Sequence, residues 1–217
     1  MLAVDASAQR SRQINEIQGD KDISPYVREI VRVTGIVTAR TRAGFFIQNP
    51  DDKVDDNPKT SEAIYVFTKT EPGGEATVGN LVTVTGEVKE FGDPSSLTIT
   101  EISMQSGRDL VAVESKDNAL PKPVVLTMED FKPLVVNQLE KYEGMRVTIR
   151  EVSVVAPTDK RGSVDEVNGT SASSGAFYGV LPGFQRPFRE PGLDILSYLL
   201  MPDKEKDKLK RDSPKIP

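Results

Sequence analysis

Residues 26–40 read YVREIVRVTGIVTAR, and their alternation decides the fold class. Val31, Val33, Gly35 and Val37 share one parity while the other is mostly polar, with Arg32, Thr34, Thr38 and Arg40, the period of two of a half-buried antiparallel strand. Residues 78–91 (VGNLVTVTGEVKEF) repeat the pattern with Val82, Val84, Gly86 and Val88. Residues 142–155 (YEGMRVTIREVSVV) carry a third version through Met145, Val147 and Ile149, then, after a slip, Val152 and Val154. A glycine in the middle of the first two runs weakens a flat strand, so it predicts a bulge or a sharp bend.

Three shorter apolar runs surround these: residues 44–49 (GFFIQN), 63–69 (AIYVFTK) and 96–102 (SLTITEI). With residues 26–40 and 78–91 they make five short strands, the first and fourth long and kinked. That is the expectation for a five-stranded Greek-key barrel of the OB type, with a β-sandwich as the alternative. The fold class expected is all-β: an OB-like barrel over residues 13–106, a connector with a short helix over 107–141, and a second, smaller β unit over 142–195. Residues 1–12 are expected to be disordered and residues 196–217 to form a charged linker. In the connector, residues 110–125, with Pro121 and Pro123, read as an extended crossing segment. Residues 127–142 read as the short helix, opened by Thr127 three residues before Asp130 and interrupted at Pro133. Residues 162–167 and 175–184 are expected as later strands of the second unit, joined by a turn or loop at 168–175.

Composition removes several kinds of chemistry. The 217 residues include no Cys and no His, so disulfides, Cys/His zinc sites and histidine acid–base catalysis are absent. The net charge of −5 opposes a general grip on a polyanion, so any nucleic-acid contact must be local. No stretch of about 18 apolar residues exists, and residues 1–10 lack the basic start and apolar middle of a secretory signal. No membrane partner is expected.

Two groups of residues are candidates for function. OB folds bind single strands on the face of their second and third strands, with aromatic rings as stacking platforms beside cations. Phe45 or Phe46 must face outward on the second strand, Tyr65 and Phe67 share a parity on the third, and Arg40, Arg42 and Lys69 flank them. The set expected to contact nucleic acid is Arg40, Arg42, Phe45, Tyr65, Phe67 and Lys69; the alternative is that the aromatics fill the barrel. The loop 51–57 (DDKVDDN) concentrates four carboxylates and an amide. It reads either as a solvated acidic loop or as a Ca²⁺ site with Asp51, Asp55 and Asn57 as ligands and Glu62 closing it. The basic–aromatic segment 186–192 (RPFREPG) reads as a rigid turn that pairs its arginines with acids or contacts phosphate.

The order of INEIQGDKD with Ser24-Pro25, VTGIVTA, GFFIQNPDDKVDDNPKTSEAIYVF and VGNLVTVTGEV resembles the OB-like domain ahead of the catalytic domain in large secreted bacterial nucleases of the endonuclease/exonuclease/phosphatase superfamily. LEKYEGMRVTI, VVAPTDKRGSVDEVNGT, GAFYGV and RPFREPGLDI are similar to the segment joining the two domains. The resemblance covers residues 13–195. It implies a secreted or envelope location, a downstream nuclease domain as partner, and a non-catalytic role for this region, since the paired histidines of that superfamily's active site have no counterpart here. The alternatives are a structural or protein-interaction spacer and a histidine-independent, Ca²⁺-dependent OB-fold nuclease.

Overall fold

The computed structural model describes residues 10–92, 98–104, 110–131, 137–156, 164–165, 167, 170–171 and 178–183. The chain divides into two compact units, Met1–Thr148 and Ile149–Pro217.

In the first unit, β1 (Arg10–Arg12) and the short helix α1 (Ile14–Gln18) precede β2 (Ile30–Arg40), β3 (Gly44–Gln48), β4 (Ala63–Phe67), β5 (Leu81–Phe91), β6 (Ile99–Ser103) and β7 (Leu110–Ser115). The sheet runs β1-β2-β3-β4-β6-β5-β7, and a further β2–β5 pairing closes β2, β3, β4, β6 and β5 into a five-stranded barrel, with β1 and β7 outside the ring. β4 and β6 run parallel, whereas the other four contacts around the barrel are antiparallel. The two valine parities point inward as their alternation requires: Val31, Val33, Val37, Val82, Val84 and Val88 are all fully buried.

The central glycines do not mark bulges. Pairing of β2 with β5 runs unbroken from Ile30↔Glu87 to Ile36↔Leu81, through both Gly35 and Gly86. The irregularity next to β2 lies instead between Val37 and Ala39, where Thr38 is the extra residue opposite β3. Close approach explains the glycines. A Cβ on Gly35 would stand 3.0 Å from Ile14 Cδ1, 3.1 Å from Ile47 Cβ and 3.2 Å from the Gln48 carbonyl oxygen. One on Gly86 would stand 2.7 Å from Ile102 Cγ2.

Ile14 and Ile17 are fully buried with the barrel valines, so α1 plugs the barrel interior. This helix was not expected from the sequence; it starts in a capping box in which the Gln13 N–H donates to the Glu16 carboxylate at 2.8 Å. Burying each isoleucine contributes about 1.5–3 kcal/mol. Arg10–Arg12, expected within a disordered lead, pair in parallel with Val31–Val33 as β1.

The connector differs from its sequence reading in two places. Residues 110–115 form β7, which pairs antiparallel with β5, so they extend the sheet rather than merely cross it. Where a short helix was expected, the described residues carry two separate 3-10 turns, Met128–Asp130 and Glu140–Tyr142. Thr127 and Asp130 form the anticipated capping box, while Pro133 lies outside the described residues. β8 (Val124–Val125) pairs in parallel with β9 (Val147–Thr148).

The third alternating run does not make one strand. It supplies β9 and then β10 (Ser153–Ala156), and the boundary between the units falls between them. Val147, Ile149, Val152 and Val154 are each more than a third exposed. Alternation selects a buried face only where another element covers it. In the second unit β10 pairs with β13 (Tyr178–Val180), and β11 (Val164–Asp165) pairs with β12 (Thr170–Ser171). Thr170 and Ser171 thus belong to a strand rather than to the expected loop. Residues 186–192 and 196–217 lie outside the described residues.

Candidate nucleic-acid interface

Register decides which aromatic faces outward. Phe46 pairs with Tyr65 and Gly44 with Phe67 across β3 and β4, whereas Phe45 pairs with Val66. Ile47, Ile64 and Val66 are fully buried, so their parity is the inner one and Phe45 goes with them at 0 % exposure. Phe45 is therefore a core side chain, not a platform. Phe46 replaces it outside, half-buried, with its ring centroid 4.8 Å from that of Tyr65 at 45°. Phe67, on the Tyr65 parity, is also half-buried. The signal was present in the sequence: Phe45 shares a parity with apolar Ile47, and Phe46 with Gly44 and Gln48.

Two of the expected cations, Arg42 and Lys69, stand at the hairpin end of this strip, whereas Arg40 pairs with Phe45 and so takes the inner parity. Thr68 N–H donates to the Ala43 carbonyl at 2.8 Å, which brings Lys69 beside the β2–β3 turn that carries Arg42. Arg40, Arg42 and Lys69 are all exposed, and the Arg40 guanidinium donates to the Pro72 carbonyl at 2.5 Å. The Tyr65 and Thr41 hydroxyls are 2.9 Å apart, which fixes the phenol. Beyond Tyr65 the strip meets an acid: Glu101 of β6 pairs in register with Tyr65 on one side and Lys89 on the other. Burial raises the Glu101 pKa and Lys89 opposes the rise.

The acidic loop is bound up with its own neighbours. Asp51 turns to the connector, accepting the Lys122 N–H at 2.9 Å with the Lys122 ammonium 3.8 Å away. Asp55 accepts from the Asn57 N–H at 2.9 Å and from the Thr60 hydroxyl, and the Asn57 side-chain oxygen accepts from the Lys59 N–H at 3.1 Å. Glu62 is 4 % exposed and points to amides: Asn49 Nδ2 at 2.5 Å, the Asp55 N–H at 3.0 Å and Asn15 Nδ2 at 3.5 Å. Burial raises its pKa, and the Asn49 amide and the Asp55 N–H pull it back. The structure thus joins Glu62 to Asp55 but sends Asp51 elsewhere. Among the described residues no group of three or more acidic side chains is arranged to hold a metal ion.

A second acidic cluster, which the sequence reading did not single out, lies where the connector meets the barrel. Glu143 Oε1 accepts from the Thr100 N–H at 3.0 Å and from Gln18 Nε2 at 3.1 Å. Glu90 accepts from the Ser24 N–H and from the hydroxyls of Thr98 and Thr100 at 2.8–2.9 Å. Glu140 and Asp22 line an adjoining cavity of about 460 Å³. Burial, with Asp22 and Glu90 nearby, pushes Glu140 up to about 7. Burial also pushes Glu143 up to about 7, aided by Glu140 and Glu90 and opposed by the Gln18 and Thr100 donors. The participating residues are scattered between 18 and 143, so no local motif announces them.

Among the described residues no helix is long and apolar enough to cross a membrane. Comparison with models of known protein families and with curated proteins finds no match.

Proposed function

We propose that the barrel is a non-catalytic OB-like module that holds single-stranded nucleic acid on the outer face of β3 and β4. The barrel order β2-β3-β4-β6-β5, closed by β2–β5 and with β4 parallel to β6, supports the OB-like assignment. The observation that carries the binding reading is the outward row Phe46, Tyr65 and Phe67, with exposed Arg42 and Lys69 at its hairpin end; Arg40 pairs with inward Phe45 and turns to the Pro72 carbonyl. Rings stack on bases whatever their sequence, and two cations suit a short run of phosphates. Glu101 and the net acidity limit the grip to that end of the strip.

On the resemblance above, the module belongs to a secreted or envelope nuclease-like protein and places substrate or a downstream catalytic domain. It performs no chemistry itself. The acidic loop supports this division of labour, because its carboxylates serve the loop's own donors and Lys122 rather than converging with arginines on one barrel face. A protein-interaction spacer is the second reading, favoured by the connector turn that covers one side of Phe46.

Titrating a fluorescent single-stranded DNA against the full chain tests the proposal. Binding is expected to weaken with salt and to fall with Tyr65→Ala; no binding at low salt leaves the spacer reading. Incubation with DNA and Mg²⁺, Mn²⁺ or Ca²⁺ is expected to give no cleavage. Cleavage abolished by Asp51→Ala or Asp55→Ala would establish the nuclease alternative instead.

A further inference from the structure

The connector turn at residues 140–146 lies across the end of the aromatic strip. Gly144, at φ +69°, comes so close that a Cβ there would stand 3.2 Å from Phe46 Cδ1 and 3.6 Å from Ala63 Cβ. The turn is tied down twice at one end of the β3–β4 ladder, where Gln48 pairs with Ala63: the Ser61 hydroxyl donates to the Glu143 carbonyl at 2.6 Å, and the Arg146 N–H donates to Gln48 Oε1 at 2.9 Å. Its third tie is the Glu143 carboxyl on the Thr100 N–H and Gln18.

That third tie carries an electrostatic conflict. Glu143 and Glu90 of β5 both accept from Thr100, at its N–H and its hydroxyl, and Glu140 lines one cavity with Asp22, which follows α1; burial and the repulsion among these four raise both turn carboxyls. The cavity beside them adds Asp20, Glu129 and Asp130, with Lys59 and Lys141 as its cations. The Lys141 ammonium is directed to Asp130 at 3.7 Å rather than to the glutamates. Like charges brought together out of water disfavour one another's ionised forms. Neutralising Glu140 and Glu143 therefore favours the docked turn, and ionising both opposes it.

We propose that residues 140–146 are a pH-released strap: while Glu140 and Glu143 are protonated the turn stays docked and covers Phe46, and when both ionise it lifts and uncovers that ring. What the lengthened strip then holds rests on the single-strand reading above; the strap itself does not. Docked, both carboxyls are raised from 4.5 to about 7, and in the lifted turn they return toward the ordinary value. The docked form therefore binds more protons between those limits. Its advantage is complete below about 4.5 and is lost as pH rises through about 7.

Amide hydrogen exchange of the full chain reads the strap directly. The Thr100 and Arg146 amides, whose acceptors are Glu143 and Gln48, are followed between about pH 5.5 and 8.5 and corrected for intrinsic rates. Their protection is expected to drop about 1,000-fold across that range in the native chain. In the Glu140→Gln/Glu143→Gln variant it is expected to stay high and flat. Gly144→Ala, strained at positive φ and pressed against Phe46, is expected to lower protection at every pH. A labelled thymidine decamer is titrated in parallel, with binding expected about tenfold tighter at the higher pH. Protection that does not depend on pH in the native chain overturns the strap. Protection that falls while the decamer binds nowhere upholds the strap and removes the nucleic-acid reading.

Discussion

Ile14 and Gly35 should behave as one unit, because the plug reaches the barrel wall only where the wall lacks a side chain. Ile14→Ala removes a fully buried side chain down to its Cβ. Three carbons at about 0.8 kcal/mol each, plus the cavity left behind, give a loss of about 3–4 kcal/mol. Gly35→Ala adds a methyl 3.0 Å from Ile14 Cδ1, 3.1 Å from Ile47 Cβ and 3.2 Å from the Gln48 carbonyl oxygen, an overpacking worth about 1–3 kcal/mol. In the double variant Cδ1 is gone, so the new methyl enters part of the vacated space while Ile47 and Gln48 still press on it. The double variant should accordingly be less damaged than the two losses combined, with a coupling of about 1 kcal/mol. Urea unfolding of the four proteins of the cycle, followed by exchange at the β2 amides, measures this. Losses that add to within about 0.5 kcal/mol would refute the contact between plug and wall.

Phe45 and Tyr65 should separate stability from binding. Phe45→Ala is expected to cost about 3–5 kcal/mol in urea unfolding, whereas Tyr65→Ala is expected to weaken single-stranded DNA binding about 5- to 100-fold with a smaller loss of stability. Glu62→Ala strips the acceptor from Asn49 and from the Asp55 N–H, with an expected loss of about 1–3 kcal/mol in thermal or urea unfolding. Millimolar Ca²⁺ is expected to leave the melting temperature of the native chain unchanged, because Asp51 is drawn to Lys122 and Asp55 to Asn57 and Thr60; a rise abolished by Asp55→Ala would show a cation at the loop.

The five barrel strands were readable because their cause is local. Side chains alternate along an extended backbone, so Val31, Val33 and Val37, and Val82, Val84 and Val88, had to share a face. The same rule over-reached at residues 142–155, where Val147, Ile149, Val152 and Val154 each stay more than a third exposed. It also left Phe45 and Phe46 open, although Ile47 sits on the Phe45 parity and settles the choice once the β3–β4 register is known. The outward stations of Tyr65 and Phe67 followed from Ile64 and Val66 being the apolar parity.

Alternation by itself set which valines share a face, since that depends on neighbours two residues apart, whereas the meeting of Arg42 with Lys69 needed the β3–β4 register. Closure of β2 on β5, the plug of Ile14 against Gly35, and the strap over Phe46 were decided only by tertiary structure. So was the meeting of Asp22, Glu90, Glu140 and Glu143. These carboxylates lie up to 121 positions apart, between residues 22 and 143, and each alone reads as an ordinary surface acid. Packing the connector against the barrel removes water from between them, and desolvation with mutual repulsion is a property of that arrangement rather than of any residue in it.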